Sequence, residues 1–189
     1  MSKINIFCFG FGQVAEGFIN KLIQEKKDFD LSITSRQETH QIELNNFKIT
    51  SYHFTDDKFD SSIYNKLKEA NYILISIPPI EGKDIVAKYF DKNLQGITNC
   101  KWITYLSATS VYGDHKGEWV NENSTTKPTS PNGSSRLAAE NTWKKLSNKH
   151  KYPLQIFRLA GIYSKEFNIL KRLQTGKLQV VDKKNHFFS

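Results

Sequence analysis

The sequence predicts a doubly wound parallel α/β sheet with the Rossmann layout, and two observations carry that prediction. Short apolar runs alternate with longer segments whose apolar residues recur at helical spacing, and the first run ends in glycines that open a helix. Ile4 to Phe9 reads as the first strand. Gly10-Phe11-Gly12 turns it into a helix from about Gln13 to Lys27, with Val14, Phe18, Leu22 and Ile23 on one face. Leu31 to Thr34 is a second strand and Phe47 to His53 a weaker third. A helix from about Phe59 to Ala70 leads into a strand from Tyr72 to Ile77, which Pro78-Pro79 closes. A helix from about Gly82 to Asn93 follows, then a strand from Lys101 to Ser107 and a polar loop through Pro131. A helix from about Asn132 to Lys149 and a strand from Leu154 to Leu159 complete the alternation.

At 189 residues the chain fits one domain of ordinary size. Hydrophobic residues at 38% and aromatics at 13% are what a folded globular chain needs to bury a core. The apolar start is short, interrupted by Asn5 and preceded by a single Lys3, so it reads as a buried strand and not as a signal peptide. No run approaches the roughly 20 apolar residues of a membrane helix, so no membrane contact is expected and the cytoplasm is the expected location. Cys8 and Cys100 read as buried reduced thiols. His40, His53, His115, His150 and His186 have no paired ligand spacing, so no metal site is expected. The net charge of +8 raises the question of nucleic acid, but Lys21, Lys26, Lys27, Lys66, Lys68, Lys144 and Lys145 are scattered over helix faces and not interleaved with aromatics. A nucleic-acid partner is therefore not expected.

The glycine turn is the first candidate site. Gly10 permits the tight turn, Gly12 lets the backbone approach a pyrophosphate, and Ala15 allows close packing of helix on strand; Gln13 and Val14 lie in the same turn. At the end of the second strand an NAD site places Asp or Glu to accept from the ribose 2′-OH, whereas this chain has Thr34-Ser35-Arg36. A guanidinium flanked by a hydroxyl suits a 2′-phosphate, so NADP is expected in preference to NAD. Ser76 and Pro78 end the fourth apolar strand at the same sheet edge and join the candidate cofactor set.

Two further stretches carry a resemblance. They are Leu106-Ser107-Ala108-Thr109-Ser110-Val111-Tyr112-Gly113-Asp114 and Pro128-Thr129-Ser130-Pro131-Asn132-Gly133-Ser134-Ser135-Arg136-Leu137-Ala138-Ala139-Glu140. With the glycine turn they resemble the extended short-chain dehydrogenase/reductase family, also called the NAD-dependent epimerase/dehydratase family, and most of all its atypical members. In that family a Ser or Thr precedes the Val of Val-Tyr-Gly by three residues, and a Tyr-x-x-x-Lys segment follows with a Glu four positions after the Lys. Those three slots hold Ala108, Asn132 and Arg136 here, while Pro131, Gly133, Leu137 and Glu140 fit the frame. The resemblance implies that Arg136 can still donate to a cofactor ribose, but that Tyr-dependent proton transfer is lost. Tyr112 and His115, in a Gly-Asp-His-x-Gly-x-Trp loop similar to that of the atypical members, are weak candidates for a replacement acid or base.

The implied organisation is a dinucleotide-binding domain over residues 1–163, with the start of a substrate-binding lobe at 164–189. In the family a segment like Asn185-His186-Phe187-Phe188-Ser189 leads into most of a smaller lobe, so the resemblance implies a C-terminally shortened member. Ser164-Lys165-Glu166-Phe167 replaces the Gly-Pro-Gly-Arg-like turn expected after Arg158-Leu159-Ala160-Gly161-Ile162-Tyr163. The expected function is NAD(P) binding with little or no Tyr-dependent catalysis. The alternatives are an active oxidoreductase or epimerase on a nucleotide-sugar-like or other carbonyl substrate, and a non-catalytic interaction module or gene remnant. A dinucleotide is the expected partner; the small-molecule substrate has no signature.

Overall fold

The computed structural model describes residues 3–93, 97–165 and 168–176. Among them seven strands form one sheet: β1 (Ile4–Phe9), β2 (Phe29–Ser35), β3 (His40–Leu44), β4 (Phe47–His53), β5 (Tyr72–Ile75), β6 (Trp102–Ala108) and β7 (Leu154–Leu159). Their order is β3-β4-β2-β1-β5-β6-β7, and all neighbours are parallel except the β3/β4 hairpin. The helices are α1 (Gln13–Gln24), α2 (Ile63–Glu69), α3 (Ile85–Asn93), α4 (Pro131–His150) and α5 (Ile169–Gln174), with a 3-10 turn at Thr109–Val111. The chain winds outward from β1 through β2 to β4 and then crosses back to β5. The strand order therefore reverses beside β1, which is where ligands bind in open sheets of this kind.

Continuous apolar runs in the sequence are explained by burial of both sheet faces. Ile6 and Cys8 of β1 pack with Ala15 and Ile19 of α1 on one face, while Phe7 and Phe9 pack on the other with residues of α2, α3 and α4. Trp143 of α4 is fully buried, and its indole N–H donates to Asp84 Oδ2 at 2.9 Å. Asp84 in turn accepts the Ala87 N–H at 2.9 Å, capping α3. Burial raises the Asp84 carboxyl above its ordinary range in spite of these donors.

Several boundaries differ from the sequence reading. The first helix stops at Gln24, not Lys27, because Lys26 takes a left-handed φ of 52° and the Lys26 and Lys27 N–H groups close back on the Ile23 and Leu22 carbonyls. The helix expected from Phe59 starts at Ile63, since Phe59 is held in an extended bridge to Phe54. The strand expected to reach Ile77 ends at Ile75, and the helix expected from Gly82 starts at Ile85 after a tight turn with Glu81 at φ 48° and Gly82 at φ 77°. β3 and α5 were not anticipated. Of the lobe expected over 164–189, residues 164, 165 and 168–176 are described and carry α5; Glu166, Phe167 and the segment Asn185 to Ser189 lie outside the described residues.

The long helix α4 begins on Ser130, whose Oγ accepts the Gly133 N–H at 3.1 Å, with Pro131 in the first helical position. A Cβ on Gly133 would stand 2.4 Å from the Ser110 carbonyl oxygen and 2.9 Å from Pro128 Cβ, so the helix start and the 3-10 turn touch backbone to backbone. Further along, Glu140 is fully buried. It accepts from Ser107 Oγ of β6 at 2.7 Å and from Arg158 of β7, Nε to Oε1 at 3.0 Å and Nη2 to Oε2 at 2.9 Å. Burial alone would raise this carboxyl, but the Arg158 and Ser107 hydrogen bonds outweigh it and hold the group below the ordinary carboxylate range.

Three substitutions test this packing. Gly133→Ala should cost about 1–3 kcal/mol through overpacking against backbone that cannot retreat. Gly17→Ala, on an exposed helical position with open space around it, should gain about 0.5–1 kcal/mol. Urea midpoints for the two variants on the same side of the parent would contradict this packing. Glu140→Gln should cost about 1.5–3 kcal/mol at neutral pH by leaving the partly buried Arg158 without its counter-charge. Because the folded-state value of Glu140 is depressed, its contribution is present above the unfolded carboxylate range and is lost as pH falls through the folded value. The parent should therefore show a steeper acid limb of stability than Glu140→Gln, and parallel limbs would refute the ion pair's role.

Candidate functional site

The carboxyl ends of β1, β2, β5 and β6 meet around the glycine turn. Gly10 has φ 77°, and its N–H donates to Thr34 Oγ1 of β2 at 2.8 Å. A Cβ there would press within 2.9 Å of Ile77, so glycine is demanded by both backbone and space. Gly12 differs: it caps α1 in extended backbone, and a Cβ on it would meet only Ser76 Oγ, at 3.8 Å. Among the described residues no other atom comes within 4 Å of that position. No side chain caps α1, so the first N–H groups of the helix are free to donate to an anion. Gln13 lies beside them with a buried Nε2 that has no hydrogen-bond partner. Ala15 is fully buried and Val14 partly buried under the helix, packing roles for both.

Ser76 and Pro78 follow β5, and Ser76 Oγ is the atom 3.8 Å from a Cβ on Gly12. The Ser76 N–H donates to the Phe9 carbonyl at 2.9 Å, and Pro78 is exposed at the sheet edge. At the end of β2, Ser35 Oγ accepts from Ser51 Oγ at 3.0 Å and from the Gln37 N–H at 3.3 Å. Arg36 is exposed and, among the described residues, makes no salt bridge. Glu38, the nearest acid after β2, is engaged by Lys58 Nζ at 3.2 Å. These residues could hold a dinucleotide: an uncapped helix start that suits a pyrophosphate, a small residue at Gly12, and an exposed guanidinium at the end of β2.

Ala108, Asn132 and Arg136 share one corner, since the first turn of α4 rests on the Thr109–Val111 turn through Gly133 and Ser110. Ala108 ends β6 and is half-buried, and Asn132 is exposed on the first turn of α4. Arg136 Nη1 donates to the Leu106 carbonyl at 2.6 Å, while its Nε is buried without a partner. The guanidinium is thus partly committed to the strand end. The Ser110 hydroxyl at this corner is also buried without a partner, a feature the sequence reading passed over.

The weak acid/base candidates lie beside this corner. Tyr112 is buried, with the Arg158 guanidinium carbon 4.8 Å from its ring centroid. His115 Nε2 lies 3.0 Å from the Thr125 carbonyl. A carbonyl only accepts, so Nε2 is assigned the proton and Nδ1 is left as the free ring nitrogen. Next to Tyr112 an open cleft of about 530 Å³ is lined by residues that include Thr109, Asn121, Lys144, Phe157 and Arg158. It is distinct from the glycine turn. The sequence reading also missed Thr34, whose hydroxyl secures Gly10; a Thr ending a strand beside a glycine turn is the signal that could have found it. Among the described residues no group of three His, Cys, Asp or Glu side chains could hold a metal, and no helix is long and apolar enough to cross a membrane.

No family model matches the chain. The UDP-glucose 4-epimerase of Lacticaseibacillus casei is 27% identical over 142 residues, which cover 69% of this chain and 40% of that protein. Among solved structures, a conserved protein of unknown function from Silicibacter pomeroyi superposes with a TM-score of 0.74 and 26% identity, over 95% of this chain and 60% of that one. A UDP-glucuronic acid 4-epimerase from Bacillus cereus in complex with NAD gives a TM-score of 0.69 at 16% identity, over 91% of this chain and 63% of that one, a likeness of fold. The chain thus spans less than two thirds of the length of each. Strand order and the glycine turn agree with these likenesses: the chain is similar in sequence to a UDP-glucose 4-epimerase and shares the fold of NAD-dependent epimerase structures.

Proposed function

We propose that this chain binds a nicotinamide dinucleotide, NADP(H) in preference to NAD(H), and that it turns over carbonyl or sugar-nucleotide substrates by the Tyr-dependent route slowly or not at all. The observation that carries the binding half is the uncapped start of α1, with Ser76 Oγ the one described atom within 4 Å of a Cβ on Gly12. There the helix N–H groups and the α1 dipole would hold the pyrophosphate, and the buried Gln13 Nε2 supplies a further donor. Arg36, exposed beside Ser35, would take the 2′-phosphate, and Arg136 would keep a positive charge near the nicotinamide ribose. Relatives that bind NAD support the dinucleotide itself; the preference for NADP rests on Arg36.

The nicotinamide, when bound, supplies a hydride acceptor or donor. The chain must then move a proton at the substrate oxygen, and its residues at the usual positions cannot. Ala108 has no hydroxyl to orient a carbonyl, Asn132 has no titratable proton, and Arg136 spends one terminal nitrogen on the Leu106 carbonyl. Tyr112 is covered by protein and faced by a cation, and His115 is turned toward the Thr125 carbonyl. The domain division, residues 1–163 for the nucleotide and 164–189 for the beginning of a substrate lobe, belongs to this same proposal.

Nucleotide fluorescence titrations of the purified chain test the binding half. The parent should bind NADPH about ten- to hundredfold more tightly than NADH, the equivalent of a charge-assisted contact of about 1.5–3 kcal/mol. Arg36→Ala should equalise the two, and Gly12→Val should abolish both while leaving the protein folded. Undiminished binding by a folded Gly12→Val protein would remove the assignment. For catalysis, loss of positioned acid–base groups typically costs 10²–10⁴-fold, so NAD(P)H consumption across a panel of sugar nucleotides and small carbonyls should stay near background. Robust turnover that survives His115→Ala and Tyr112→Phe would overturn the non-catalytic half.

A further inference from the structure

The loop after β2 is fastened at alternate residues, and the fastening leaves Arg36 as its free cation. In the β2/β4 register Ser35 pairs with His53, and the Phe54 N–H donates to the Ser35 carbonyl at 2.8 Å, the last backbone link between these strands. Beyond it side chains take over. The Gln37 N–H donates to Ser35 Oγ at 3.3 Å, and the Gln37 carbonyl lies 3.0 Å from His53 Nδ1. Thr39 Oγ1 accepts the His53 N–H at 3.1 Å and donates to Asp60 at 2.6 Å. Glu38 is held by Lys58 through its carboxylate and by His40 Nδ1, 2.7 Å from its carbonyl. Residues 35, 37 and 39 are thus tied down, Glu38 is turned to Lys58, and Arg36 stands between two anchors with its guanidinium exposed.

Resting on the proposed preference for NADP(H), we propose that His53 is a positioning residue for nucleotide selectivity, holding the Gln37 carbonyl so that Arg36 is presented to a 2′-phosphate. The physical reason is preorganisation. A guanidinium on a loose loop must surrender backbone freedom when it captures a phosphate, and a loop already fixed does not. Only the ring Nδ1 can donate to Gln37, since a carbonyl accepts, and His53 is held from its other side by its own N–H on Thr39. Fixing one residue's backbone corresponds to roughly a 5–30-fold change in an equilibrium constant, so the contribution is large enough to read in a selectivity ratio.

The experiment titrates the full chain with NADPH and with NADH by nucleotide fluorescence, for the parent, His53→Leu, His53→Asn, Arg36→Ala and the Arg36→Ala/His53→Leu double variant. His53→Leu should lower the NADPH-over-NADH preference about fivefold or more with little change in NADH affinity. His53→Asn, whose side-chain N–H can replace Nδ1 as donor, should restore it, and in the Arg36→Ala background His53→Leu should leave the ratio untouched. Should the leucine variant fail to fold, His53→Ala takes its place in both backgrounds. Equal weakening of both nucleotides would make His53 a scaffold residue and overturn the proposal, as would an unchanged ratio or an effect that persists without Arg36. Failure of the underlying reading looks different, because a parent that binds no dinucleotide, or binds both equally, removes the premise before any variant is made.

Discussion

The ion pair between Glu140 and Arg158 is the constraint around which the C-terminal half of the sheet is arranged. It is buried on α4, reaches β7 through two nitrogens of one guanidinium, and reaches β6 through Ser107. Three elements far apart in sequence are thereby held in one relative position. Removing two charges from water is expensive, and a buried pair adds little net stability compared with an apolar substitute. What it supplies is uniqueness: only one rotation and height of α4 satisfies both carboxylate oxygens. With that height set, Gly133 meets the Ser110 backbone, Arg136 reaches the Leu106 carbonyl, and Tyr112 lies against the far side of Arg158. Thus the geometry of the corner that holds Ala108, Asn132 and Arg136 is set by the seating of α4.

Much of the architecture was legible because two signals repeat along the chain. The run Ile4 to Phe9 marks its strand to the residue, since a strand buried on both faces has little choice of composition, and the bounds of Phe47 to His53 and Leu154 to Leu159 also match although those strands are less buried. What escaped was local and polar. The β3/β4 hairpin turns on Asn45 and Asn46, at φ 48° and 67°, residues that tolerate the left-handed region. His40-Gln41-Ile42-Glu43-Leu44 alternates apolar and polar residues as an edge strand does, but with only two aliphatic positions the pattern is faint. The helix at Phe59 was anticipated too early because the pairing of Phe59 with Phe54 depends on a fold that periodicity does not encode. In the site, the tight turn at Gly10 could be read from spacing, whereas the engagement of Glu38 by Lys58 and the turn of Arg136 toward Leu106 depend on side-chain directions.

The two halves of the candidate site make different demands on sequence. Holding a pyrophosphate asks for backbone N–H groups, a helix start and the absence of a side chain, all of which many sequences supply once the β1 turn is in place. Moving a proton asks for a titratable group at one point in space, and a single substitution removes it. A chain can therefore retain the first and lose the second without disturbance to its fold. At the start of α4, Pro131 takes the first helical position, Gly133 rests on the Ser110 backbone and Glu140 ties the helix to β6 and β7, so the seating of α4 is independent of what stands at Ala108 and Asn132.

Cys8 gives this architecture a built-in clock. It is fully buried in β1, packed with Ala15 and Ile19 beneath the helix whose start forms the candidate phosphate cradle, and burial pushes its thiol up to about 12. Cys100 is only partly buried, its thiol pushed up to about 11. Since the thiolate is the reacting species, alkylation of Cys8 must await separation of α1 from the sheet, whereas Cys100 can react from far smaller excursions. The slow phase of thiol labelling accordingly measures how often that layer opens, and any anion that braces the helix start should lengthen it.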